Sequence, residues 1–353
     1  MPLGRLPRND AQLELFTALF TDIAVRDERE TMEVPCLSLE KSPRVEPLRF
    51  QKGSVEVLVT GGAPLGIANI WDWDLMMWLM SQIRQATDEG MPTSRKVRFN
   101  RHAFLRGARR TPGGRQYRRL EDSIARLANT MVRTTLRAEK GRTVLFHWIE
   151  FADFSRDENG FLSDVTVVLP EWIYEAVTDE KLVLSLHRDY LLLTGGLERW
   201  LYRFIRKGAG TRRSGWAWRV HTLHERSGSR RQLKYFARDL RAIVERGDLL
   251  DYELSLQRRG GDAFLLAVRK RARPKPRGAS FGHRPPSEVA FLQLSAGTYE
   301  RAKLAAPGYD IYALERQWKM STEKHGLRVK NPDAAFLGYC RATAKNRPLR
   351  QSS

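Results

Sequence analysis

The sequence predicts an α+β fold, with two tandem winged helix-turn-helix domains followed by a small C-terminal helical module. Three observations carry that expectation. The order helix, short helix, turn, helix, two-stranded hairpin occurs twice along the chain. In both copies the helix after the turn opposes a basic face to an apolar one. The 353 residues hold 61 Lys and Arg against 41 Asp and Glu, and the resulting net charge of +20 suits a polyanionic partner.

Residues 1–30 are polar and are expected to form a loosely held segment. The first domain is expected over residues 31–160. There "VPCLSL" and "SVEVLVT" read as strands, with a turn and a third short strand in "KSPRVEPLRF" between them. "IWDWDLMMWLMSQIRQATDEG" reads as a helix that stops at Gly90-Met91-Pro92. "RKVRFNRHAFLRGAR" gives a short strand and a short helix, and "TPGGRQYRRLEDSIARLANTMV" a turn and a second helix. "VRTTLRA" and "RTVLFHWIEF" flank the turn "EKGR" as a hairpin.

The second domain is expected over residues 161–270 and opens on the strand "SDVTVVL". Pro170 then starts a short helix in "PEWIYEAV". "LHRDYLLLTGGLERWLYRFIRK" suggests a helix, a Gly195-Gly196 break and a longer helix. "WAWRV" is a short strand, "HTLHER" a short helix and "SGSRRQLKYFARDLRAIV" the helix after the turn. "LDYELSLQ" and "DAFLLAVR" form a second hairpin across "RRGG". Residues 271–287 lack acidic residues and are rich in Pro and Arg, the composition of a basic extended linker. Residues 288–353 read as two or three helices.

On a helical wheel Arg231, Lys234, Arg238 and Arg241 fall within roughly 80°, opposite Leu233, Phe236, Leu240, Ile243 and Val244. Ser229 with Gln232 makes a capping-box pattern, which would put Arg230 and Arg231 in the first turn. Positive charge opposes the helix dipole there, and a bound polyanion would explain why it is tolerated. The earlier helix, Gly114 to Asn129, sets Arg115, Arg118, Arg119 and Arg126 against Tyr117, Leu120, Ile124 and Leu127, although Asp122 interrupts its basic face. Lys140, Arg142, Arg258 and Arg259 lie at the two hairpin tips, where a wing touches phosphates or the minor groove. A solvated basic face is the alternative for either helix taken alone.

Other chemistries find little support. No apolar run approaches the ~18 residues of a spanning helix, and the first residues lack the apolar core of a signal peptide. Cys36 and Cys340 stand alone, so neither a disulfide framework nor a Cys-based zinc site is expected, and a reducing cytoplasm is the expected compartment. His221 and His224 are expected to pack rather than share a metal, for want of a third ligand. Asp72 and Asp74 read as helix-start residues, with Trp71, Trp73 and Trp78 as core. "GGAPLG" and "TPGGR" lack the Lys-Ser/Thr of a phosphate-binding ATPase loop. No cofactor, metal or catalytic residue is expected.

The blocks "IANIWDWDLMMWLMSQI", "YRRLEDSIARLANTMVRTT", "LTGGLERWLYRFIRK" and "HERSGSRRQLKYFARDLRAIV" resemble the replication initiator protein A family of bacterial plasmids. So does the C-terminal "SAGTYERAKLAAPGYDIYALERQW" with "PDAAFLGYCR". The resemblance implies a non-enzymatic, origin-binding protein with two winged-helix domains. The second would be the main reader of duplex origin repeats, through Arg230, Arg231, Lys234, Arg238 and Arg241. The first, with Arg115, Arg118, Arg119 and Arg126, would read part of the site and serve in homodimerisation. The C-terminal module is expected to engage host replication proteins. A transcriptional repressor of the same fold is the main alternative, and a DNA nickase a distant one.

Overall fold

Trp73–Asp88 is buried nearly all round, with its polar Asp74, Ser81, Gln82 and Arg84 enclosed along with its apolar residues. It forms α1, with Trp73, Met76, Met77, Leu79, Met80 and Ile83 almost wholly out of solvent. It stops where Gly90 takes φ +69°, two residues before Pro92. The computed structural model describes residues 14–270 other than 21–22, 157, 159, 161 and 211–214. In the C-terminal part it describes residues 294, 296–307, 309, 311, 314–315, 317–319 and 332–346.

Before α1 come β1 (Phe16–Thr17), β2 (Arg26–Glu28), β3 (Leu48–Lys52) and β4 (Val55–Gly61). After it come β5 (Lys96–Asn100), α2 (Arg101–Gly107), α3 (Gly114–Asn129), β6 (Thr130–Thr134) and β7 (Val144–His147). Next are β8 (Phe151–Arg156), β9 (Leu162–Val168), α4 (Glu171–Thr178) and β10 (Val183–Ser185). The later part holds α5 (Gly196–Gly208), β11 (Trp216–Arg219), α6 (Val220–Ser227), α7 (Leu233–Arg246), β12 (Tyr252–Arg259) and β13 (Asp262–Arg269).

The repeated order is therefore present: α1, β5, α2, α3 and the pair β6–β7, then α5, β11, α6, α7 and the pair β12–β13. The pairing differs between the copies. In the second, β11 joins its own hairpin in the sheet β11-β13-β12, and Gly260 and Gly261, at φ +56° and +89°, make the two-residue turn. In the first, β6 and β7 extend β3 and β4 into one sheet, with Val132 opposite both Val59 and Phe146. β5 instead joins a separate sheet in the order β1-β5-β9-β8.

That pairing corrects the expected boundary between residues 160 and 161. β9, assigned to the second domain from its sequence, is hydrogen-bonded between β5 and β8 of the first. A continuous apolar cluster runs from Phe16 through α1 and α5 to Ala267, so residues 31–160 and 161–270 do not have separate cores. Of residues 1–30, expected to be loose, 1–13 and 21–22 lie outside the described residues, and the others are built in. β1 runs parallel to β5, β2 pairs with β10, and Asp27 and Glu28 are fully buried. Two smaller expectations change as well. "VPCLSL" makes only the isolated bridge Ser38–Asn69, and the stretch ahead of Gly195 holds a 3-10 turn at Tyr190–Leu192 in place of a helix.

The C-terminal unit is separate and contains α8 (Ala296–Ala305) and α9 (Pro332–Asn346). Its core gathers Ala302, Ala306, Ile311, Leu314, Trp318, Phe336, Leu337 and Cys340. The expected basic linker, 271–287, lies outside the described residues.

Candidate nucleic-acid interface

α7 begins at Leu233 with Gln232 as its N-cap, not at Ser229. Arg230 and Arg231 therefore precede the helix, which removes the dipole argument made from their position. The reason is local. Gly228 closes α6 at φ +63°, and the chain then turns with Ser229 Oγ accepting from the Arg231 amide at 3.2 Å. His224 Nε2 donates to the Arg231 carbonyl at 2.7 Å and its ring meets Phe236 edge-on, so α6 and α7 are tied across this turn.

Phe236, Leu240 and Ile243 face the core, whereas Leu233, expected with them, is 39% exposed. Lys234, Tyr235, Arg238 and Arg241 are all exposed. The Lys234 ammonium and the Arg238 guanidinium lie 4.8 Å and 5.4 Å from the Tyr235 ring centroid, so an aromatic ring sits among the cations. The wheel angle already put Tyr235 on that side, but the sequence reading passed over it. Arg238 is 3.6 Å from Asp239, while Lys234 and Arg241 have no carboxylate partner among the described residues.

Arg230 and Arg231 are held differently. Arg231 pairs with Asp239 at 2.5 Å. Arg230 reaches into the first half of the chain, where it is gripped by Glu40 and, at 2.7 Å, by Glu46. Nearby, Arg44 donates to the Gly228 carbonyl at 2.6 Å, and Glu33 holds Arg226 at 2.7 Å and Lys207 at 2.6 Å. At the hairpin tip Arg258 and Arg259 are exposed, with Arg259 donating to Gln257 at 2.7 Å and lying 6.0 Å from the Phe264 ring.

On α3, Arg115, Arg118 and Arg119 are exposed and carry no ion pair among the described residues. Arg126, on the same stripe, is half-buried. Its guanidinium is bidentate to Asp72, at 2.8 Å and 2.7 Å, and Asp72 is 1% exposed. Lys140 and Arg142 are exposed in the loop joining β6 to β7, where Arg142 pairs with Glu139 at 3.1 Å.

Asp72 is the N-cap residue of α1 and Asp74 lies in its first turn, as expected, but Asp72 makes no side-chain cap hydrogen bond and both carboxylates anchor arginines. Asp74 binds Arg110 at 2.6 Å and also Arg199, and Asp27 binds Arg203 at 2.5 Å and the Trp73 indole at 2.8 Å. Burial pushes the Asp74 carboxyl above the usual range, and Arg199 and Arg110 oppose that rise. Trp73 and Trp78 are core as expected, but Trp71 is half-buried. Among the described residues no group of three His, Cys, Asp or Glu could hold a metal ion, and no helix is long and apolar enough to cross a membrane.

α3, the "LTGGLERWLYRF" block and α7 all lie inside one match to a family model, the replication initiator protein A model, which spans residues 26–254. The chain belongs to the replication initiator protein A family. It is 26% identical over 257 residues to a Wigglesworthia glossinidia brevipalpis protein named "Putative replication protein", covering 70% of this chain and 91% of that one. Its fold is similar to a crystal structure of domains 2 and 3 of RctB, at TM-score 0.51 and 13% identity, over 67% of this chain and 95% of that one. A second crystal structure of the same RctB domains gives TM-score 0.46 at 12% identity, over 68% and 96%.

Proposed function

We propose that this protein initiates plasmid replication by binding duplex repeats at an origin through two winged helix-turn-helix units. α7 enters the major groove as the main reader, the β12–β13 turn lies along the backbone as its wing, and α3 makes a secondary contact. The observation that carries this reading is the exposed outer face of α7, which presents Lys234, Arg238 and Arg241, the first two beside the Tyr235 ring. Membership of a replication initiator family supports it. Such a face can make phosphate contacts that set register and Arg or Lys contacts that read guanine.

The proposed DNA-contacting set is Lys234, Arg238, Arg241, Arg258 and Arg259, with Arg115, Arg118 and Arg119 secondary and Lys140 and Arg142 at the other hairpin loop. Arg230 and Arg231 join it only by leaving their carboxylate partners, and Arg126 is assigned to the fold. The mechanism uses no catalytic residue: binding energy strains the adjacent duplex. Residues 288–353 would recruit host replication proteins, the first half would mediate self-association, and the protein would act in the cytoplasm.

Replacing Lys234 and Arg241 together by Ala should weaken binding to an origin repeat. The slope of log K against log salt should fall by roughly two, at ~0.9 per lost phosphate contact. Fluorescence anisotropy across a salt series reads both quantities. An unchanged slope and footprint would remove α7 from the interface.

A further inference from the structure

Between the start of α1, the inner side of α3 and the Leu191–Thr194 segment lies a cleft of about 430 Å³, within the range of small-molecule sites. Lys41, Arg110, Arg119, Arg126 and Arg199 line it, against the carboxylates of Asp72 and Asp74 alone. Those two aspartates are already held by Arg126 and by Arg110 with Arg199. Arg119 and Lys41 therefore bring cationic charge with no anion to meet it among the described residues. The lining is also under-bonded: Arg199 is 1% exposed yet its Nε has no hydrogen-bond partner, and neither does the buried Oε1 of Gln116. The apolar part of the lining is Trp71, with the Lys41 ammonium 5.2 Å from its ring, and Leu191 to Leu193.

We infer that this cleft binds a nucleotide. Its phosphate would lie between Arg119 and Lys41, with Arg110 and Arg199 behind, and its base against Trp71 and the leucines. The excess of these five cations over the two carboxylates matches a phosphate monoester, whose oxygens suit the planar guanidinium fork. An aromatic ring and apolar side chains in the lining are what a base requires and a bare inorganic anion does not. The nucleotide could be free or could be one unit of an unpaired DNA strand. The inference concerns the cleft alone and holds whether or not α7 reads duplex DNA.

Isothermal titration of the full chain with dTMP, thymidine, inorganic phosphate and the strand (dT)12 tests it. dTMP should bind one to one, at least tenfold more tightly than thymidine or phosphate. Lys41→Glu and Arg119→Glu should each weaken dTMP binding at least tenfold without lowering the melting temperature, since both positions are exposed. Lys41→Glu should leave duplex repeat binding intact, which separates this inference from the proposed function. Binding of (dT)12 far more tightly than dTMP, and equally lost in both variants, would identify an unpaired strand as the source. Comparable affinities would identify the free nucleotide. If thymidine or phosphate binds as well as dTMP, or if neither variant weakens dTMP and (dT)12, the cleft is not a nucleotide site.

Discussion

Arg126 and Arg118 lie on the same helix and look alike in sequence, yet their surroundings differ, and replacing each by Ala separates the roles proposed for them. Arg126 makes both of its bonds to Asp72, at 2.8 Å and 2.7 Å, and Asp72 is 1% exposed. Removing one partner of a buried pair leaves an uncompensated charge and costs roughly 3–5 kcal/mol. The Arg126 side chain keeps 22% of its exposure, and Asp72 retains the Asn69 amide at 2.9 Å, so a loss at or just below the lower end is expected. A loss of about 2–3 kcal/mol in a unit of this size lowers the melting temperature by ~5–10 °C. Arg118 is exposed without an ion pair among the described residues, so Arg118→Ala should stay within about 0.5 kcal/mol of the parent protein. Its effect should appear in duplex binding instead. Thermal unfolding followed by near-ultraviolet circular dichroism, with anisotropy at a temperature where both variants are folded, measures each part. If Arg126→Ala melts within a degree of the parent and loses affinity as Arg118→Ala does, the guanidinium serves the ligand and the assignment to Asp72 is wrong.

Glu28 offers a pH test: burial raises its carboxyl from 4.5 to about 7, against Arg137 at 3.9 Å. The folded state holds that proton better than the unfolded chain, so its contribution is complete below about pH 4.5 and disappears as pH rises through about 7. Glu28→Gln should therefore flatten the fall in melting temperature between pH 5 and pH 8 and be the more stable protein at pH 8; parallel pH curves would refute this. Gly196→Ala should destabilise by about 2–3 kcal/mol or more in chemical denaturation, because a Cβ there would stand 2.1 Å from the Leu39 carbonyl oxygen. A near-neutral variant would mean that this approach is not tight. Replacing Glu40 and Glu46 together by Gln frees Arg230 and removes two negative charges from beside α7, so duplex affinity should rise several-fold in low salt. An unchanged or weaker affinity would show that Arg230 plays no part in binding.

The helices were legible because their periodicity is strong. α3 and α7 follow a 3.6-residue alternation of Leu, Ile and Phe with Arg, and the Gly260-Gly261 turn marks its hairpin. What escaped depended on distant partners. Ser229 and Gln232 have a capping spacing, but a turn set by Gly228 and His224 uses the residues that a cap would have needed. Leu186–Leu193 is apolar enough for a helix, yet the Leu186 amide is bonded to the Val25 carbonyl and the His187 amide to the Tyr202 hydroxyl. The place of β9 in the first sheet depends on β5, which lies more than sixty residues earlier. Arg126 sits on a basic stripe, and only the fold brings a buried aspartate to meet it. The grip of Glu40 and Glu46 on Arg230, across more than 180 residues, left no local signal.

Arg199 and Arg203 stand one turn apart on α5, both nearly solvent-free, and their counter-ions Asp74 and Asp27 belong to α1 and β2. This limits how such a protein can be rearranged by recombination. A crossover that transplanted the α7-bearing half onto a foreign first half would move two interior cations away from the aspartates that neutralise them. The graft could fold only if the recipient already carried carboxylates at both places. Exchange between related genes should therefore proceed by whole-unit replacement, from the aspartates of β2 through β13, and not by swapping the second half alone.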